Sequence, residues 1–321
     1  MSNHHPRIAV LVPCFNEAAT VADVVSAFSR TLPTATIYVY DNNSTDETAA
    51  AARAAGAIVR SETRQGKGFV VSRMFSDIEA DIYVMIDGDN TYDASAAPKL
   101  VDYMVEHRLD FVNGLRQSEA EDAYRKGHRF GNWALSRLVQ AFFGRQFDDM
   151  LSGYKVLSRR FVKTFPAISR GFETETELAI HSLRLRMPCA ELPTQYRERP
   201  AGSESKLNTY RDGFRILMFI AQLVKDERPL MFFGMTGILL MTIGFLLGIP
   251  VVIDYAEIGL VPRLPTAILS VGVVIIGVLS LFMGLLLDMM TRSRVEAKRL
   301  AYLAIPAFAT PPNSKSEQKA A

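Results

Sequence analysis

Cysteine is scarce in this chain: Cys14 and Cys189 are the only two in 321 residues, and they stand far apart. A disulfide framework is therefore not expected. An excess of charge of one sign is also missing, since 36 Lys and Arg face 34 Asp and Glu for a formal net charge of +2. No global basic field draws the chain to nucleic acid, and no nucleic-acid partner is expected. The first residues contain no apolar h-region, so no cleaved signal peptide is expected either. What the chain does have is 49% hydrophobic and 22% charged residues. That suffices for one large or two small domains with a buried core and excludes wholesale disorder.

The apolar residues gather in the last third. From Pro229 to Ile253 no residue is charged, long enough to cross a ~30 Å hydrocarbon layer at ~1.5 Å per residue. A second charge-free run extends from Leu264 to Leu287. Between them the loop DYAEIGLVPR holds two acids and one Arg, whereas Lys225 and Arg228 precede the pair and Arg292, Arg294, Lys298 and Arg299 follow it. The positive-inside bias makes this a transmembrane hairpin over 230–290, with spans 230–253 and 264–287 and both termini cytoplasmic. Two buried core helices are the soluble alternative, but adjacent charge-free runs of this length exceed what a globular core needs. Gly234, Gly237, Gly244 and Gly248 suit close helix packing, within one chain or between copies in a homo-oligomer. Residues 210–229 place Phe214, Leu217, Met218 and Ala221 on one helical face beside Arg211, Arg215 and Lys225. Such a helix lies along an anionic leaflet or packs onto a core. Residues 291–321 are read as a cytosolic tail ending in a disordered PPNSKSEQKAA.

The front of the chain, 1–209, alternates. RIAVLV at 7–12, IYVY at 37–40, AIVRSE at 57–62 and IYVMI at 82–86 read as strands separated by helical stretches. Short apolar strands alternating with helices predict an α/β fold, a mostly parallel sheet covered on both faces. Ligands bind such sheets beyond the carboxyl ends of the strands. The polar clusters Asn16-Glu17, Asp41-Asn42-Asn43 and Asp87-Gly88-Asp89 each follow a strand. They are therefore expected to converge on one edge.

Each cluster has a plain and a chemical reading. Asp87 and Asp89 flank Gly88 on a tight turn, where two carboxylates can share a hard divalent cation or simply make an acidic turn. Asp41 offers a carboxylate to hydroxyls or to a base ring, while Ser44 or Thr45 can cap the next helix. Pro13, Asn16 and Glu17 make a turn and a helix start. Lys67 lies between two glycines, which suits close approach to a phosphate, though the spacing is not that of a P-loop. Arg116, Arg125, Lys126, Arg129, Arg197, Arg199 and Lys206 form a basic set over 116–206. Guanidinium groups capture phosphate oxygens by paired hydrogen bonds, and scattered solvated arginines are the alternative.

In order, VPCFNEA at 12–18, DNNSTDET at 41–48, QGKG at 65–68, DGDN at 87–90 and DMLSGYKVLSR at 149–159 resemble the family 2 glycosyltransferases of the GT-A fold. The likeness covers about residues 7–230 and is greatest to the polyprenyl-phosphate branch, whose bacterial members carry two-helix anchors. It implies a transferase of the plasma (inner) membrane. In it Pro13, Asn16, Glu17, Asp41, Asn43, Lys67, Asp87, Gly88 and Asp89 line a nucleotide-sugar site, and Asp87 and Asp89 bind Mg²⁺ or Mn²⁺. Asp89 and Asp149 are the expected catalytic residues. Arg116, Arg125, Arg129, Arg197, Arg199 and Lys206 are the expected ligands of the acceptor phosphate. Thr91 stands where the mannosyltransferase branch has Gln. Asn42, where that branch often has a second acid, favours a UDP-hexose or UDP-N-acetylhexosamine over GDP-mannose. The implied reaction is an inverting transfer to a polyprenyl phosphate such as undecaprenyl phosphate. A polysaccharide synthase would carry more spanning helices and a QxxRW segment, which is not found after the DGD. A nucleotide-sugar-binding protein without turnover is the non-catalytic alternative.

Overall fold

A computed structural model describes residues 6–117, 147–167, 173–197, 222, 225, 226 and 228–307. The chain divides into two compact units, one of residues 1–213 with 298–321 and one of 214–297.

In the first unit, strands β1 (Ile8–Cys14), β2 (Thr36–Asp41), β3 (Ile58–Ser61) and β4 (Ile82–Met85) alternate with helices α1 (Val21–Thr31), α2 (Thr48–Ala54) and α3 (Lys67–Asp77). Helix α4 (Ala97–Glu106) leads to β5 (Phe111–Gln117). Then follow β6 (Lys155–Ser158), α5 (Arg159–Thr164), α6 (Thr174–Arg184) and β7 (Cys189–Gln195). The sheet order is β3-β2-β1-β4-β6-β5-β7. All pairings are parallel except those of β6, which runs antiparallel to both neighbours. The central strands form because their apolar runs are buried on both faces: Ala9 to Val12 in β1 and all of β4 are inaccessible or nearly so. Helix α1 turns Val21, Val24, Val25 and Phe28 inward at i, i+3, i+4 and i+7, and α4 does the same with Ala97, Leu100, Val101 and Met104. Burial of a side chain the size of Phe28 stabilises by roughly 2 kcal/mol.

In the second unit, α7 (Pro229–Ile258) and α8 (Leu264–Ala304) are long and apolar enough to cross a membrane. Many of their large side chains are exposed, with Phe245 at 66% and Val252 at 68%. The expected glycines do bring the two helices together. A Cβ on Gly237 would lie 2.7 Å from the Gly277 carbonyl oxygen, and one on Gly244 would lie 2.6 Å from Val274. Ser270 Oγ donates to the Gly244 carbonyl at 2.8 Å and Ser280 Oγ to that of Phe233 at 2.9 Å.

Helix α8 does not stop at Leu287. Charged residues end its apolar stretch, but they are good helix formers and Arg292 pairs with Asp288 one turn back at 2.8 Å. The stretch 291–304, expected to be tail, is therefore helix. Its last turns belong to the first unit. There Tyr302 is buried and donates to Asp110 at 2.7 Å, and Asp110 also accepts from Ser158 at 2.6 Å and pairs with Arg160.

Candidate active site

Parallel pairing brings Cys14 level with Asp41 and Leu11 level with Met85, so the loops after β1, β2 and β4 leave the sheet at one edge. Each loop is fastened to the next. Asn16 N–H donates to Ser44 Oγ at 2.9 Å, Thr45 N–H to Asn16 Oδ1 at 2.8 Å, and Glu17 N–H to Thr48 Oγ1 at 2.8 Å. Asn42 Nδ2 donates to the carbonyls of Glu62 at 3.0 Å and Arg64 at 2.8 Å, and its Oδ1 accepts from Gly66 N–H at 2.7 Å. Thr20 Oγ1 donates to the Gly88 carbonyl at 2.7 Å, closing the first loop against the DGD turn. Asn16 and Asn43 have φ of +53° and +64°, a left-handed conformation that Asn tolerates better than other side chains. Pro13 lies opposite Tyr40 in the same rim.

The acids of the rim are held differently. Lys67 Nζ lies 2.5 Å from Asp87 Oδ1 and also pairs with Glu175, which is buried at the start of α6. Burial opposes the Lys67 charge, but the two carboxylates more than offset it and raise its pKa, so the ammonium is permanent. Asp89 is buried, and its Oδ1 accepts from Thr91 Oγ1 at 2.6 Å. A Cβ on Gly88 would lie 2.6 Å from Cys14 Sγ, which explains the bare residue between the two acids. One oxygen of Asp41 and one of Glu175 are buried without a hydrogen-bond partner among the described residues. Among those residues no cluster of three or more Asp, Glu, His or Cys groups forms a protein-only metal cage. A hard cation held by Asp87 and Asp89 would need its remaining oxygens from a ligand's phosphates and from water.

Beyond β4 the chain supplies a second group. Arg116 grips Asp149 with both arms, Nε to Oδ2 at 2.6 Å and Nη2 to Oδ1 at 2.8 Å, and its guanidinium lies 5.4 Å from the Tyr196 ring centre. Burial favours the neutral acid, but Arg116 outweighs it and holds the Asp149 carboxyl below the usual range. Asp149 is therefore a carboxylate with little affinity for a proton. Gly153 N–H donates to Tyr92 Oη at 2.6 Å, and a Cβ on Gly153 would fall on the Asp87 carboxylate. This contact joins the 149–154 loop to the DGD turn.

Measured against expectation, Pro13, Asn16, Glu17, Asp41, Asn43, Lys67, Asp87, Gly88 and Asp89 stand at the sheet edge. Arg116, expected at the acceptor phosphate, has its fork engaged by Asp149. Arg197 is exposed and 3.8 Å from Asp93. Arg125, Arg129, Arg199 and Lys206 lie outside the described residues, as do most of 210–229 and the helix expected at 130–144. Asn42, expected to bear on the nucleotide, spends its amide on backbone groups of 62–66. Glu175 was not anticipated; its signal is the acidic run ETETE, which reads equally well as a helix start.

The profile of the family described as Glycosyl transferase family 2 matches residues 9–165. A glycosyltransferase of Haloferax volcanii, AglJ, is 33% identical over 299 residues, covering 92% of this chain and 98% of its own. A dolichol-phosphate mannosyltransferase of Pyrococcus furiosus is 26% identical over 293 residues, covering 82% and 78%. Among solved structures, glucosyl-3-phosphoglycerate synthase of Mycobacterium tuberculosis, in complex with Mn²⁺, UDP and glucosyl-3-phosphoglycerate, superposes with a TM-score of 0.57 at 25% identity. That match covers 68% of this chain and 79% of the other.

Proposed function

The chain belongs to glycosyl transferase family 2, and on that premise we propose that it moves a sugar from a nucleoside diphosphate onto the phosphate of a polyprenyl phosphate. The observation that carries this reading is one chain holding both an acid-rimmed sheet edge and two helices of membrane-crossing length. A polyprenyl chain stays in the bilayer and keeps its phosphate at headgroup level, so the catalyst must be held there. Likeness to a dolichol-phosphate mannosyltransferase supports the same acceptor class. In this reading residues 1–209 are the catalytic domain, 210–229 an interfacial helix, 230–290 the membrane hairpin and 291–321 a cytosolic segment. The basic flanks put both termini in the cytoplasm, at the plasma membrane of a bacterial-type cell. Because the hairpin glycines are used within the chain, association into a homo-oligomer would rest on other faces.

The chemistry asks for position more than for a base. A phosphate monoester has a second pKa of about 6, so the nucleophile is ionised at neutral pH. One of its oxygens attacks the anomeric carbon, the bond from that carbon to the diphosphate breaks, and the electron pair leaves on the nucleoside diphosphate with inversion. Asp87 and Asp89 would hold Mg²⁺ or Mn²⁺, which supplies positive charge against the leaving diphosphate. Lys67 adds a fixed ammonium beside them. Asp41 accepts from a hydroxyl or base N–H of the donor, along a rim completed by Pro13, Asn16, Glu17, Asn43 and Gly88. Asp149, held ionised by Arg116, orients the acceptor or a sugar hydroxyl. Arg125, Arg129, Arg197, Arg199 and Lys206 capture the acceptor phosphate. Holding two mutually repelling anions in reacting geometry is the larger part of such a barrier.

The test is to incubate the purified full-length chain in lipid nanodiscs with undecaprenyl phosphate, Mg²⁺ or Mn²⁺, and separate donors. UDP-hexoses and UDP-N-acetylhexosamines come first, then GDP-mannose, with mass spectrometry of the lipid. The expected product is the lipid phosphate heavier by one sugar residue. Unchanged lipid, with sugar appearing on 3-phosphoglycerate supplied in parallel, would overturn the acceptor assignment.

A further inference from the structure

Lys155 is fully buried in the middle of the sheet, and no step above uses it. A buried ammonium is costly unless it is paired and hydrogen-bonded. The strand register explains where this one is spent: Lys155 on β6, Asn113 on β5 and Glu191 on β7 stand in one row across three neighbouring strands. Lys155 Nζ donates to Asn113 Oδ1 at 2.7 Å. Asn113 Nδ2 donates to the Asp149 carbonyl at 2.7 Å and to Glu191 Oε1 at 2.8 Å. Glu191 in turn accepts from Asp149 N–H at 3.1 Å through Oε1 and from Asp148 N–H at 2.8 Å through Oε2. With Arg116 on the carboxylate, every polar group of Asp149 is held, its N–H and carbonyl included.

We propose that Asn113, Lys155 and Glu191 are positioning residues that fix the backbone of Asp149 so that its carboxylate meets the reacting substrates in one orientation. This rests on the reading above in which Asp149 orients a substrate. The row supplies alternating polarity, ammonium, amide, carboxylate, so that each member sets the orientation of the next. Burial pulls the Lys155 pKa down to about 8, opposed by Glu175 and Asp149. A side chain whose charge is strained by burial, yet whose donor is spent on the amide behind Asp149, is placed for alignment more than for stability.

Glu191 lies half-buried on the edge strand, so Glu191→Gln keeps volume and fold while replacing one accepting oxygen by a donor. The expected result, in the full-length protein in nanodiscs, is a kcat lowered about 10- to 100-fold with the donor KM within about twofold. UDP affinity by calorimetry and the thermal midpoint should not move. Lys155→Met should lower kcat likewise without lowering the midpoint, since it removes a buried charge. In an Asp149→Asn background, Glu191→Gln should add less than about twofold, because both changes act through one group. Unchanged kcat in Glu191→Gln and Lys155→Met, or multiplicative losses in the double variant, would overturn the positioning role while leaving Asp149 in place. Full activity in Asp149→Asn would instead overturn the reading on which the row depends. If Lys155→Met does not fold, the Glu191 variants alone decide.

Discussion

The two halves of the sheet are assembled on different terms. Around β1 and β2, the loops are joined at exposed sites by neutral bonds between short side chains and backbone, such as Asn16 to Ser44 and Asn16 to Thr45, while the turn after β4 has the ion pair of Asp87 with Lys67. Around β5 to β7, two joints are ion pairs that hold a buried carboxylate: Arg116 to Asp149 and Arg160 to Asp110. The first kind tolerates loss because water can replace a partner at the rim. The second kind does not, since removing one member strands a charge in a low dielectric. The rim after β1 and β2 thus stands on forgiving joints, and the wall formed by Arg116 and Asp149 on an unforgiving one.

That contrast can be broken by measurement. The largest effect belongs to the turn itself: Asp89→Ala should lower transfer to lipid about 100- to 1,000-fold with the fold intact, assayed with radiolabelled donor. Undiminished product would remove Asp89 from the chemistry. Next comes Arg116→Ala, which leaves the Asp149 carboxylate buried without its partner and should cost about 3–5 kcal/mol in denaturant unfolding. The pair also predicts an acid limb. Asp149 has its pKa lowered in the fold, so its contribution is present above the unfolded value of about 3.9 and is lost as pH falls through the folded one. Arg116→Ala should flatten that limb.

His181 sharpens the same point. Burial, then Lys298 and Arg184, push it down to about 3. A His whose folded pKa is depressed below ~6.5 contributes stability that is lost as pH falls from ~6.5 toward that folded value, by at most ~1.4 kcal/mol per pH unit. His181→Gln should reduce this slope in thermal melts between those limits; an unchanged slope would assign it elsewhere. The smallest effect is expected in the forgiving half, where Asn16→Ala should cost only about 1 kcal/mol. A loss as large as that of Arg116→Ala would erase the distinction between the halves.

Legibility follows the same line. The strands at 8–14, 36–41, 58–61 and 82–85 were readable because each is a local apolar run, and the acids were readable because they follow those runs directly. The wall across from them was not. Arg116 and Asp149 are 33 residues apart, and Asn113 and Glu191 are 78 apart. The parallel pairing of β5 with β7 and the antiparallel insertion of β6 between β4 and β5 bring such residues together, and no periodicity announces either. Arg116 is expected at the acceptor phosphate because its charge is visible in sequence, whereas its partner Asp149 is not. Lys155 appeared only as a letter of a motif. The continuation of α8 beyond Leu287 was not legible for a related reason: charge marks where an apolar layer stops, not where a helix does.

Gly153 stands where the two loops meet. Since any β-carbon there would intrude on the Asp87 carboxyl, the acidic turn and the loop bearing Asp149 touch through a residue that offers smallness on one side and its N–H to Tyr92 on the other. Neither side can be enlarged or shifted without pushing the other. A methyl group at position 153 would therefore require the Asp87 carboxylate to give way, so a change in the one loop is felt in the other.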